Sequence, residues 1–193
     1  MRYGKWAVLL LAAVTLLLSA GSAAAIGDLS GAYNQDGLSF HYPDAWLVSN
    51  SGPDVYLGTS ESALSALDNP GVPDLADTEF GVIITLIPVD LVGSLDITAD
   101  STPLDFMNAL LPSIDQQPDF TFGEPFGLTS GPKDLARLDG TAGNADLSVI
   151  IVKLEGSFAL VGAIAGAGTI GRWDAPLYAI IRSMEYNTPS SGF

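Results

Sequence analysis

Cysteine is absent from all 193 residues, and histidine occurs once, at His41. No disulfide, no thiol nucleophile and no lipid-anchoring cysteine is available. A zinc site built from three or four histidine or cysteine ligands is excluded with them. Without disulfides, the fold must draw its stability from a packed core. Basic residues are also scarce, seven against 22 acids, for a formal net charge of −15. Such a charge repels phosphate backbones and anionic lipid surfaces, which excludes nucleic acid as a partner. The acids are spread along the chain rather than gathered in blocks, the pattern of a solvated, aggregation-resistant surface.

At the N-terminus, Arg2 and Lys5 precede an uncharged apolar stretch at residues 6–18, followed by the small residues of 19–25. That order is a basic region, a hydrophobic region and a small-residue cleavage site. The apolar stretch is 13 residues long, shorter than the ~20 of a membrane-spanning helix. Ala23 and Ala25 fit the cleavage rule, so residues 1–25 are expected to be a signal peptide cut before Ile26. The alternative is an uncleaved anchor. After cleavage no stable membrane insertion is expected, and the destination is extracytoplasmic. Arg2 and Lys5 leave with the peptide, so five basic residues remain against 22 acids, a balance of −17. The expected organisation is a lead-in at 26–36, one domain over 37–187 and a loose tail at 188–193.

Within the domain, alternation predicts strands at 37–42, 46–49 and 55–59, arranged as a meander. A short helix is expected at 61–67 and a Pro-rich acidic loop at 69–77. The β-branched run at 80–89 reads as a buried strand. Residues 103–115 form the clearest helix: Thr102 as N-cap, Pro103 at the first helical position, Asp105 at the third, and an apolar stripe of Leu104, Met107, Leu111 and Ile114. Pro112 bends or shortens it. Strands follow at 121–128, 134–139, 147–154 and 158–165, the last two as a hairpin through Glu155-Gly156-Ser157. A final helix at 174–184 carries the stripe Trp173, Leu177, Ile180, Met184. The strands at 147–154 and 158–165 are apolar on both faces and so are buried on both. The fold class is therefore α+β: a central, mainly antiparallel sheet with helices on both sides, in three layers.

Phe40-His41-Tyr42-Pro43-Asp44-Ala45-Trp46 resembles the F-x-Y-P-x-G-W opening of PsbP-like domains, with Ala45 where the family has Gly. The ending Ala179-Ile180-Ile181-Arg182-Ser183-Met184 resembles their a-I-l-x-S, and the order of elements agrees over 37–186. The resemblance implies a PsbP-like α/β/α sandwich. It implies a non-catalytic binding or assembly protein, and it transfers no functional residue.

Each pattern that points to chemistry has a structural reading beside it. Residues 166–171 match G-x-G-x-x-G between a strand and a helix. Only 22 residues follow, too few for a dinucleotide fold, so a flexible connection is expected. Ser130-Gly131-Pro132-Lys133 matches S-x-x-K, but the partner motifs S-D-N and K-T-G are missing, and a loop between strands is expected. His41 lacks a G-x-S-x-G serine to serve and reads as a structural, partly exposed histidine. Tyr42, Trp46 and Tyr56 are a candidate aromatic patch, or core. Asp68, Asp74, Asp77 and Glu79 surround the Pro-rich loop and are the candidate Ca²⁺ ligands, since oxygen-rich loops hold that ion; D-x-D-x-D-G is absent. No other cofactor is expected. The expectation is a secreted, non-catalytic domain that binds a protein partner or supports an extracytoplasmic assembly. A calcium-dependent binding module and a hydrolase with a carboxylate pair are the alternatives.

Overall fold

In the computed structural model of the chain, residues 28–68, 74–114 and 120–187 are described. The expected signal peptide and tail lie outside them, as does the Pro-rich half of the acidic loop.

The large sheet has eight strands, all antiparallel. In spatial order they are β3 (Leu47–Ser51), β4 (Asp54–Gly58), β5 (Phe80–Pro88), β10 (Ser157–Gly166), β9 (Ala145–Leu154), β8 (Lys133–Ala142) and β6 (Phe120–Phe122); β7 (Phe126–Ser130) also pairs with β8. A second sheet holds β1 (Gly31–Gln35), β2 (Leu38–Tyr42) and β11 (Glu185–Tyr186) in the order β1-β2-β11. The α-helices of the described residues are α1 (Glu61–Asp68), α2 (Pro103–Ile114) and α3 (Asp174–Ser183).

Two expectations are corrected here. The first three strands are not one meander: β3 and β4 form a hairpin in the large sheet, while β2 pairs with β1 on one edge and β11 on the other. The cause is local. Asp36 and Gly37 both have positive φ, 51° and 83°, as a tight Asp-Gly hairpin turn requires, so the lead-in contains a strand. The single strand expected at 121–128 is two. Pro125 has no N–H for a ladder, and Gly123 N–H bonds Asp139 C=O at 2.9 Å between the two pieces.

The helix starting at Pro103 forms as its sequence dictates. Asp105 N–H donates to Thr102 Oγ1 at 3.1 Å, and Thr102 N–H donates to Asp105 Oδ2 at 2.8 Å. Two otherwise orphaned donors are thus satisfied reciprocally.

Strand alternation sorts the core. Ala159, Val161, Ala163 and Ala165 of β10 face a cluster with Trp173, Leu177, Ile180, Ile181 and Met184, all buried. Their small side chains let α3 lie close to the sheet. Phe158 faces the other way, against Phe106 of α2, with ring centroids 5.0 Å apart at 70°. Ile164, on that same alternation, packs on Ala63 and Ala66 of α1. Helix α3 therefore covers one face of the sheet, and α1 and α2 share the other.

Candidate functional site

The acidic loop is committed to local structure where it is described. Glu79 accepts the Ser60 hydroxyl at 2.7 Å through Oε1 and the Ala76 N–H at 2.9 Å through Oε2. Those bonds, the Ala76 amide first, hold its carboxyl below the ordinary value. Ser60 in turn caps α1, its Oγ accepting the Ala63 N–H at 3.1 Å. Asp77 is exposed and 3.9 Å from Arg172, and Asp74 is exposed. Asp68 closes α1, with its side chain outside the described residues. Among the described residues no three carboxylates or imidazoles come together as a metal-holding group.

The remaining motifs serve the fold in the same way. Ser130 and Lys133 pair across a two-residue turn between β7 and β8, and Ser130 Oγ accepts from Arg182 at 3.2 Å. In G-x-G-x-x-G, Gly166 ends β10 against the backbone of Leu75, where a Cβ would lie 2.8 Å from that carbonyl oxygen. Thr169 bonds the Gly166 carbonyl at 2.6 Å. His41 is exposed, and its contact with Ser183 is through its backbone: His41 N–H donates to Ser183 Oγ at 2.9 Å. Trp46 stands edge-on to Phe80 and Trp173, with centroids 5.5 and 6.2 Å away. Trp46 and Tyr42 thus pack onto the core.

Sequence reasoning missed a buried charge cluster. Arg137 of β8 is 5% exposed. Its Nε donates to Asp139 at 2.7 Å, and its Nη1 to Asp174 at 2.6 Å and to Tyr178 Oη at 2.8 Å. Burial alone would lower the guanidinium pKa, but these acceptors outweigh it and the net shift is upward. The cluster ties the first turn of α3 to the sheet. Arg137 and Asp139 stand two apart on one strand face, which was legible; Asp174 and Tyr178 arrive from 37 and 41 residues away. The two carboxylates it gathers are both partners of one guanidinium.

Among the described residues, two further features stand out. The first is a cavity of about 330 Å³ between the C-terminal ends of α1 and α2. Its floor is Ile83 of β5, Leu147 and Val149 of β9, and Gly162 and Ile164 of β10. Ala66 and Leu67 form one wall; Phe120 and Phe122, stacked at 6.0 Å and 18°, form another. None of the described residues that line it is charged. The second is the free edge of β3. It is the outermost strand, all five residues are exposed, and none carries a charge. The hairpin closes at Ser51 and Asp54 around Gly52 and Pro53, with Gly52 at φ 61°, as the first position of a type II′ turn requires. Antiparallel alternation then turns the backbone groups of Val48 and Asn50 outward.

No family model and no curated protein matches the chain. Among solved structures it is similar to a crystal structure from Bacteroides thetaiotaomicron, at 10% identity over 86% of this chain, with a TM-score of 0.48. The chain spans about half the length of that protein, 51%. It is similar to a Pseudomonas aeruginosa protein of unknown function, at 13% identity over 75% of this chain and 88% of that one, with a TM-score of 0.43. It is similar, too, to the solution structure of cyanobacterial PsbP from Synechocystis sp. PCC 6803, at 18% identity over 87% of this chain and 99% of that one, with a TM-score of 0.46.

Proposed function

We propose that the chain is an exported, non-catalytic binding domain, and that an extended segment of a protein partner adds to the outer edge of β3. The observation that carries this reading is the edge itself. Sheet edges are a liability that proteins blunt with charge, proline, bulges or cover. Over Leu47–Ser51 there is no charge and no proline, and Leu47 and Val48 are 37% and 36% exposed. Outward backbone groups supply hydrogen bonds to an incoming strand, and alternate side chains supply selectivity. A second copy of this chain is a poor occupant, because each brings a charge of −15. Export rests on the N-terminal pattern. Within the described residues, no helix is long and apolar enough to cross a membrane.

The non-catalytic part is supported by how the reactive groups are spent. Ser183 meets His41 by its backbone, Ser130 faces Arg182, and Asp139 and Asp174 share Arg137. The test is a photocrosslinking residue placed at Ser49 on the edge and, as control, at Leu91, which is exposed elsewhere. A single adduct from Ser49, absent at Leu91 and lost in Asn50→Pro, is the expected result. That proline removes the outward N–H, and with the side chain it removes the donation from Asn50 Nδ2 to Gln35 Oε1 at 2.9 Å. Equal labelling at both positions, or labelling indifferent to the proline, overturns the proposal.

A further inference from the structure

We infer that the cavity between α1 and α2 is a binding site for an uncharged, ring-bearing apolar small molecule. Three observations converge. The first is size: about 330 Å³ lies at the small end of the range for ligand sites, roughly 300–1,000 Å³. The second is the lining. Ile83, Leu147, Val149 and Ile164 offer branched aliphatic surface across three adjacent strands. Phe120 and Phe122 sit two apart on β6, so both rings point to one side of that strand. Such a wall matches a flat ring, by offset or edge-to-face contact. The third is charge. Among the described residues no Lys, Arg or His lines the cavity, and the chain as a whole carries −15. A fatty acid or a phosphate-bearing lipid would bring an anion with nothing to pair it, at a desolvation cost. The ligand class is therefore neutral.

The cavity lies beside the last described turns of the two helices. Ala66 and Leu67 lie at the end of α1, and Ser113 and Ile114 at the end of α2. Between them the sheet presents Gly162, against which Ile83 packs so closely that a Cβ there would lie 2.9 Å from Ile83 Cγ2. A ligand here would complete the apolar cover of that face. This site is separate from the β3 edge, so either proposal can fail alone.

The test uses the full chain with two fluorescent probes of similar ring size. One is neutral, N-phenyl-1-naphthylamine; the other is its sulfonated, anionic counterpart. Laurate serves as a competitor. The expected result is saturable, one-to-one binding of the neutral probe, with the anionic probe about tenfold or more weaker and laurate a poor competitor. Val149→Phe fills the floor and should abolish that binding. Leu67→Trp fills the cavity from the opposite wall and is the second variant if the first fails to fold. Ser113→Lys, on the exposed rim, should improve binding of the anionic probe alone by about tenfold. Equal affinity for both probes in the unmodified chain overturns the charge argument. Neutral-probe binding that survives both filling variants, or no binding at all, overturns the site.

Discussion

The two faces of the large sheet are built by opposite means. On the α3 face, Phe80 and Trp173 stack at 4.9 Å and 7°, with Trp46 edge-on to both. A buried guanidinium pins the helix start, with each bond 2.6–2.8 Å long. On the α1/α2 face the helices hold the sheet by apolar contact and by caps at their starts, through Thr102 and Ser60. Where both helices end, a cavity remains. One face is sealed and over-determined, the other covered and left open. Rigidity and a vacancy for another molecule are therefore assigned to different sides of one sheet, so the open side can bind without disturbing the packing that keeps the fold.

Substitutions should separate the faces. Phe80→Ala removes the centre of the aromatic stack, and a loss of about 3–5 kcal/mol is expected from denaturant titration. Arg137→Ala leaves two partly exposed carboxylates facing each other and empties a buried position; about 2–3 kcal/mol is expected. On the open face the effects are smaller. Thr102→Ala removes the cap of α2, for about 1 kcal/mol. Phe120→Ala truncates a cavity wall that is already partly solvated and should cost no more than about 1 kcal/mol, while weakening neutral-probe binding. If Phe120→Ala destabilises as much as Phe80→Ala, the two faces are not different in kind.

How much of this was legible follows the range of the interactions. The α3 stripe, the cap of α2 and the β9–β10 hairpin depend on neighbours within a few residues, and composition and spacing revealed them. The pairing of β2 with β11 joins Ser39 to Glu185, and no local pattern carries that information. The Asp-Gly turn at 36–37 was a readable signal, overlooked because residues 31–35, GAYNQ, hold few apolar positions. The cavity was invisible for a different reason: its described lining is gathered from α1, β5, α2, β6, β9 and β10, elements spread over some hundred residues of sequence, and no local pattern brings them together. Of the candidate calcium ligands, the sequence located Glu79 in the loop, but its bonds to Ser60 and Ala76 arise only once α1 packs beside β5.

The smallest effect concerns pH and the open face alone. The Glu79 carboxyl is lowered by the Ala76 amide and then the Ser60 hydroxyl, so folding favours its ionised form. That contribution is complete above the unfolded value, about 4.3, and is lost as pH falls through the lowered folded value. Glu79→Gln should therefore destabilise slightly at pH 7, and its gap from the unmodified chain should close in acid. Thermal melts at pH 7, 4 and 2.5 read this directly. A constant gap would mean that the carboxylate's charge plays no part in holding the start of α1.

The central claim is that β3 offers an unoccupied edge to a partner, and amide hydrogen exchange at Val48 and Asn50 tests it most directly. In the isolated chain both amides should exchange as fast as open backbone, while Val55 and Leu57 on the partner strand β4 stay protected. With the crosslinked partner bound, protection should appear at Val48 and Asn50 together. Protection already present in the isolated chain, or no change on binding, would contradict the account.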